Sequence, residues 1–236
     1  MQYVKIKDVI AEQIRTGQLA AGQKLPSERQ LAESFNTTRI TLREALSLLE
    51  AEGQIYREDR RGWFIAPSPL HYDPQQAMDF ATLARAQNRQ PHIMPIQAQA
   101  EFADRQASQL LALPPFSELY RIEQVQSLDT RPVAWVSYYC RPELLPNLFE
   151  HDFTHSLFSL LREQGSKAMH HLRYRVGAGS LVGDVAQRLR ATSGAPAIVI
   201  EKCYYSEQGE ALLGIVEQWR HDALRVESQV NITVDK

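Results

Sequence analysis

Two helical signals stand so close together between Ser27 and Gly53 that the chain has to fold them as a pair. Ser27 and Gln30 form an S-x-x-Q capping box, in which the serine hydroxyl accepts from the Gln30 backbone N–H and the Gln30 side chain reaches back. Behind it Leu31, Ala32 and Phe35 face inward, and this short helix ends at Asn36, a residue that tolerates the left-handed conformation. After a tight turn, Thr37 or Thr38 can cap a second helix, whose Leu42, Ala45, Leu46 and Leu49 fall at i, i+3, i+4 and i+7. Gly53 stops it. The buried stripe leaves the opposite face, which begins with Arg39, Thr41 and Arg43, turned outward.

The flanking residues complete a small domain. Val4, Ile6, Val9, Ile10 and Ile14 recur at near-helical spacing, and Gly17 follows as a stop, which predicts a first helix of about four turns. Beyond Gly53 the period changes. Ile55-Tyr56-Arg57 and Trp63-Phe64-Ile65 read as two short strands around the turn Asp59-Arg60-Arg61-Gly62. Two helices across a tight turn and a basic-tipped hairpin predict a winged helix-turn-helix. In such a domain the start of the second helix meets base edges, where Arg pairs bidentately with guanine and Thr meets a hydroxyl-compatible edge or a thymine methyl. Arg29 is placed for phosphate or base, and Arg60, Arg61 and the backbone at Gly62 for the neighbouring backbone or minor groove. The competing reading is a three-helix domain with a solvated charged face. Net charge does not decide between them, since the first 66 residues carry +1 and the remainder −3.

The run Lys24-Leu25-Pro26-Ser27-Glu28-Arg29-Gln30-Leu31-Ala32 resembles the L-P-S-E-R-x-L-A signature of the GntR family of bacterial regulators. Phe35 to Leu46 continues in register with F-x-V-S-R-x-T-V-R-x-A-L, and Leu49 and Glu52-Gly53 also match. The resemblance implies DNA contacts at Arg29, Thr38, Arg39, Thr41, Arg43 and the wing glycine, here Gly62, with Arg61 beside it. One departure is the wing: the family's G-x-G-[ST]-[FY]-V is Arg60-Arg61-Gly62-Trp63-Phe64-Ile65 here, more basic and one glycine short.

Ala66-Pro67-Ser68-Pro69 reads as a stiff polar linker, so the expected division is 1–66 for the DNA-binding domain, 67–74 for the linker and 75–236 for a second domain. In that second domain strands are expected at Ile96–Phe102, Leu119–Leu128, Val133–Cys140, Ala168–Val176, Ala197–Ser206, Leu212–Trp219 and Val226–Val234, and helices at Asp104–Leu113, Ser156–Glu163 and Asp184–Arg190. Hairpins interleaved with helices make it α+β.

The order resembles the UTRA effector domain of the HutC branch, which shares the chorismate lyase fold, on the Leu-Tyr-Arg-Ile strand, the turn Arg131-Pro132-Val133-Ala134 and the tail Glu217 to Asp222. Within the branch, the wing and the Trp219-Arg220-His221-Asp222 tail are most similar to regulators of phosphonate utilisation. Many UTRA domains grip an acidic effector with R-x-R. Those positions are Gln124 and Gln126 here, and a glutamate of the next strand becomes Ser137. Arg173 and Arg175, at i and i+2 of one strand, can supply anion contacts instead, or be solvated strand residues. Glu217 is expected to meet a polar ligand group, and Tyr139 either lines the pocket or belongs to the core.

The remaining features argue for few other functions. His151, His155, His170 and His171 match no zinc spacing, and no cofactor is implied. There is no G-x-S-x-G, P-loop or G-x-G-x-x-G, so catalysis has no positive support. Cys140 and Cys203 form no framework, no run approaches ~18 apolar residues, and Met1 to Thr16 lacks the pattern of a secretory signal. The expectation is a cytoplasmic, homodimeric, effector-modulated repressor on a palindromic operator, with no membrane partner. The alternatives are a chorismate-lyase-like enzyme and a constitutive DNA-binding protein whose second domain only dimerises.

Overall fold

The computed structural model describes residues 1–76, 78–144, 147–153, 157, 160 and 169–229. They form two compact units. The first holds Met1–His71 together with Leu181–Ala195 and Arg220–Arg225. Its helices are α1 (Gln2–Arg15), α2 (Glu28–Ser34) and α3 (Arg39–Ala51), followed by the antiparallel hairpin β1 (Ile55–Glu58) and β2 (Gly62–Ile65). The capping box at Ser27 is present, and Thr38 caps α3 by accepting from the Thr41 N–H at 3.2 Å. Asn36 adopts φ 47 between the two helices, the left-handed turn that lets them cross.

Leu42, Ala45, Leu46 and Leu49 are fully buried against Ile6, Ile10, Leu31, Ile55 and Ile65. Each leucine contributes roughly 1.5–3 kcal/mol by leaving water. This is why a domain with one short and two medium helices holds its shape.

Two later chain segments complete this unit. Arg220 donates to the Leu189 carbonyl at 2.9 Å and to the Arg57 carbonyl at 3.0 Å, and its guanidinium lies 5.2 Å from the Tyr56 ring centroid. The Asp59 N–H donates to the Arg190 carbonyl at 3.0 Å, and His221 Nε2 sits 2.7 Å from the Glu50 carbonyl oxygen. Nothing in the sequence pattern indicated these attachments, since those that reach the helices and hairpin join residues more than 130 positions apart.

The second unit, Tyr72–Ser180, Pro196–Trp219 and Val226–Lys236, is built on a six-stranded sheet. Its strands are β4 (Pro91–Phe102), β5 (Glu118–Leu128), β6 (Arg131–Cys140), β7 (His171–Leu181), β8 (Ala195–Tyr205) and β9 (Ala211–Arg220), in the order β4-β5-β6-β9-β8-β7. β6 is buried along its whole length, as a central strand should be. Helix α5 (Arg105–Leu111) lies on one face, over Tyr139, Cys203 and Val216. Gly214 permits that approach: a Cβ there would stand 2.6 Å from Leu110 Cδ2.

Several expectations needed revision. A helix α4 (Phe80–Ala86), capped by Asp79, was not read from the sequence because seven residues show too little period. Strand β3 (Leu70–Tyr72) occupies the expected linker and pairs with β10 (Leu224–Val226). Of the tail strand expected at Val226–Val234, only Val226 is in a strand, residues 227–229 are irregular, and 230–234 lie outside the described residues. Most of the helix expected at Ser156–Glu163 lies outside them too.

Candidate nucleic-acid interface and effector face

In the first unit, α2, the start of α3 and the hairpin enclose a concave surface of about 640 Å³. Arg29, Arg39, Arg43, Arg61 and Gly62, all expected from the sequence, line it. Lys24, Arg57 and Arg60 join them; Lys24 and Arg57 were missed because each sits outside the two helices, and only folding brings them round. Glu28 is the carboxylate of this surface. It accepts from Arg43 Nε at 2.8 Å and from Trp63 Nε1 at 3.2 Å, tying α2 to α3 and to the hairpin. Partial burial pushes the Glu28 carboxyl up, but the hydrogen bonds from Arg43 and Trp63 outweigh it and hold the group below its ordinary range. Glu28 thus aims Arg43 as well as neutralising one charge.

The two threonines differ. Thr38 is committed to the helix cap, and its hydroxyl lies 3.0 Å from that of Thr41. Between them Ile40 is 73% exposed, an apolar side chain on the first turn of α3. It was passed over in the sequence because an exposed isoleucine breaks no stripe. At the wing tip Arg60 adopts φ 57 and Gly62 φ 99, so one glycine and one strained arginine turn the hairpin. Arg61 pairs with Glu58 and lies 5.6 Å from the Phe64 ring centroid, which holds it to the hairpin.

In the second unit, register separates residues that the sequence suggested together. Gln124 pairs with Val136, and Val136 with Glu217, so these three share one face. Gln126, Ala134 and Trp219 are the next such row on the same face. Ser137 pairs with Glu123 and Val216 and faces the other way. The residue beside Gln124 on β6 is therefore Val136, and Ser137 lies on the opposite face. Its hydroxyl accepts from Trp135 Nε1 at 3.2 Å, in a network with Glu123 and Arg121. Tyr139 shares Ser137's face and donates to Gln106 Oε1 of α5 at 3.1 Å; burial pushes its pKa up to about 12.

The Gln124 face is polar and buried. Gln124 donates to the Phe153 carbonyl at 2.9 Å, while its buried Oε1 has no hydrogen-bond partner among the described residues. Glu217 Oε1 accepts from Lys202 Nζ at 2.5 Å and its Oε2 from Trp219 Nε1 at 2.9 Å. Lys202 lies 4.6 Å from the Tyr72 ring centroid. Burial pulls the Lys202 pKa down, but Glu217 and Tyr72 outweigh it and raise it, so the lysine stays charged. Lys202 was not singled out in the sequence; a lysine at an alternating strand position looks like a solvated one.

Arg173 and Arg175 line a cavity of about 360 Å³ with Gln106, Gln109, Glu201 and Cys203, on the α5 side. Arg175 Nη1 donates to Glu201 Oε2 at 2.9 Å, and Arg173 stands 5.4 Å from the Tyr205 ring centroid. Among the described residues no His/Cys/Asp/Glu group has metal-site geometry.

Comparison with known proteins matches both parts. The model of bacterial regulatory proteins, gntR family, matches residues 2–65, and that of the UTRA domain matches residues 86–225. The chain is 32% identical over 219 residues to the uncharacterized HTH-type transcriptional regulator YihL of Escherichia coli (strain K12), covering 92% of this chain and 93% of that protein. It is 26% identical over 220 residues to the HTH-type transcriptional repressor NagR of Bacillus subtilis (strain 168), covering 93% and 90%. The crystal structure of PhnF from Mycobacterium smegmatis superposes with a TM-score of 0.66 at 19% identity, over 97% of this chain and 100% of that one, a likeness of fold.

Proposed function

The chain belongs to the gntR family of bacterial regulatory proteins and carries a UTRA domain, which makes it a transcriptional regulator, and from that premise we propose a ligand-responsive repressor that grips a palindromic operator as a homodimer. The observation that carries this reading is the convergence of Arg29, Arg39, Arg43 and Arg61 with Lys24, Arg57 and Arg60 on one concave surface around Glu28. An excess of guanidinium groups in one hollow suits a polyanion. Arg39 and Arg43 read bases from the start of α3, with Thr41, and Ile40 covers a thymine methyl. Thr38 holds the helix start against the backbone, and Arg29, Arg61 and the Gly62 backbone meet phosphates or the minor groove. Two copies set their α3 helices in successive major grooves, about 34–36 Å apart.

Residues 1–66 are taken as the DNA-binding domain, 67–74 as the link and 75–236 as the effector-binding and dimerising part. The buried, unpartnered Gln124 Oε1 favours a responsive protein over a constitutive one, because a ligand donor would satisfy it. Gln124, Gln126 and Glu217 suit an uncharged or zwitterionic polar molecule, since Lys202 is already neutralised by Glu217. A phosphonate would find its charge partners at Arg173 and Arg175, on the Tyr139 and Ser137 side. An effector that prefers the non-binding arrangement shifts the population, and a coupling of roughly 1–3 kcal/mol gives about 5–150-fold in operator affinity.

The regulator names of YihL and NagR speak for regulation rather than catalysis. No helix of the described residues is long and apolar enough to cross a membrane, and a cytoplasmic site of action is part of the proposal. The test is a gel-shift titration with specific and scrambled duplexes, repeated with ligands picked out by a thermal-shift screen of phosphonates, amino acids and sugar phosphates. Equal affinity for both duplexes would overturn the operator reading, and unchanged affinity with every stabilising ligand would overturn the responsive one.

A further inference from the structure

The sheet of the second unit has two edges, and the chain treats them in opposite ways. At one edge, β4 carries Pro91 and Pro95 and a register shift between Pro95 and Gln97. Prolines lack the N–H a new neighbour needs, and bulges break the ladder, so the first half of this edge is poorly suited to pairing. At the other edge, β7 runs 11 residues, His171-Leu-Arg-Tyr-Arg-Val-Gly-Ala-Gly-Ser-Leu181, with no proline, no lysine and no carboxylate. Among the described residues no further strand pairs with it beyond β8. It is exposed along nearly its whole length, including Tyr174 at 42% and Val176 at 43%. At ~3.4 Å per residue it offers roughly 37 Å of ladder.

We propose that β7 is the surface on which a second copy of this chain pairs, antiparallel, with Val176 on the two-fold axis, so that two six-stranded sheets join into one. The proposal rests on the homodimer reading and supplies its surface. An antiparallel pair has its two-fold axes at directly opposed residue pairs, so one residue must face its own copy. Val176 is the middle residue of the strand and gives the full-length overlap. In that register Arg175 lies opposite the partner's Gly177, and Arg173 opposite the partner's Gly179. Each guanidinium thus faces a residue with no side chain and no charge. Centring on Arg175 sets two arginines directly opposite one another, and centring on Tyr174 sets Arg173 opposite Arg175; like charges in those positions oppose pairing. Centring on Gly177 shortens the ladder and puts a weak strand former on the axis. Within one chain Glu201 and the Tyr205 ring already hold the two arginines, so their charge does not defend the edge as a free lysine would.

The test uses the full chain with Val176→Cys. Cα atoms of opposed antiparallel residues lie about 4.5–5.5 Å apart, within disulfide reach, and the native Cys140 and Cys203 are buried. Mild oxidation should convert most of V176C into a covalent dimer on a non-reducing gel, with operator binding retained. A178C alone should stay at background, because Ala178 faces Tyr174 of the other copy, and a mixture of A178C with Y174C should cross-link. If sedimentation equilibrium shows a dimer and V176C stays uncrosslinked, the edge proposal fails while the homodimer reading stands. If the unmodified chain is a monomer at concentrations that saturate the operator, both fail.

Discussion

The concave surface of the first unit and the Gln124 face of the second both gather polar side chains, but they settle their charge differently. The first leaves cations exposed in excess, with Glu28 alone among its lining residues to offset them. The second cancels its charge internally, Lys202 against Glu217, and among the described residues leaves the Gln124 amide oxygen without a partner. An excess of exposed cations waits for a partner that brings many negative charges. A neutralised, buried face suits recognition by shape and hydrogen bonding, and a ligand there would have to fit around an ion pair already made.

The largest expected contrast is in salt. If six to ten phosphates are contacted, operator affinity should fall about 10³–10⁵-fold between 50 and 200 mM salt. Calorimetric titration of an effector on the Gln124 face should change little over the same range. A similar slope for both would show that the second face also works by net charge. The next effect is on stability. Lys202→Met leaves Glu217 buried without its ion partner, a change that costs about 3–5 kcal/mol, visible in urea unfolding. Lys202→Met with Glu217→Gln should recover much of it, because the uncompensated charge is gone; no recovery would mean that packing around Tyr72 and Trp219, not charge, holds the site.

Smaller effects separate base reading from phosphate contact within the first surface. Arg43→Ala should lower specific operator affinity by about 1–3 kcal/mol and relax the preference over a scrambled duplex. Equal loss on both duplexes would remove its base-reading role. Lys24→Ala should weaken both duplexes alike and reduce the salt slope by about 1, as one phosphate contact would. At the bottom of the scale, Gln124→Leu should leave DNA binding unchanged while abolishing the effector's thermal shift; a retained shift would point to the Arg173 and Arg175 cavity instead.

The two surfaces were also unequally legible. The concave surface of the first unit could be read from residues 24–65 because its parts are neighbours in sequence: a capping box, a left-handed asparagine, a leucine stripe and a basic turn each follow from local rules. Lys24 and Arg57 escaped only because a loop and a strand bring them in from outside the helices. In the second unit most strands were placed to within a few residues, but the sequence grouped Gln124 and Ser137 together as effector contacts, and register puts them on opposite faces. In a strand an error of one residue moves a side chain to the opposite face. Lys202, 78 positions from Gln124, carries no local sign of the carboxylate it meets.

By itself, then, the amino-acid order determined the elements whose stabilising contacts lie within a few residues of one another, and with them the chemistry of the winged helix-turn-helix. Tertiary structure alone decided which strand residues share a face, that Arg220 reaches back to the Arg57 carbonyl, and that β7 stands at a sheet edge with no neighbour but β8 among the described residues. The physical reason is the range of the forces involved. Caps, turns and helical stripes are won or lost locally, whereas register, burial of an ion pair and the exposure of an edge depend on which distant segments arrive as neighbours.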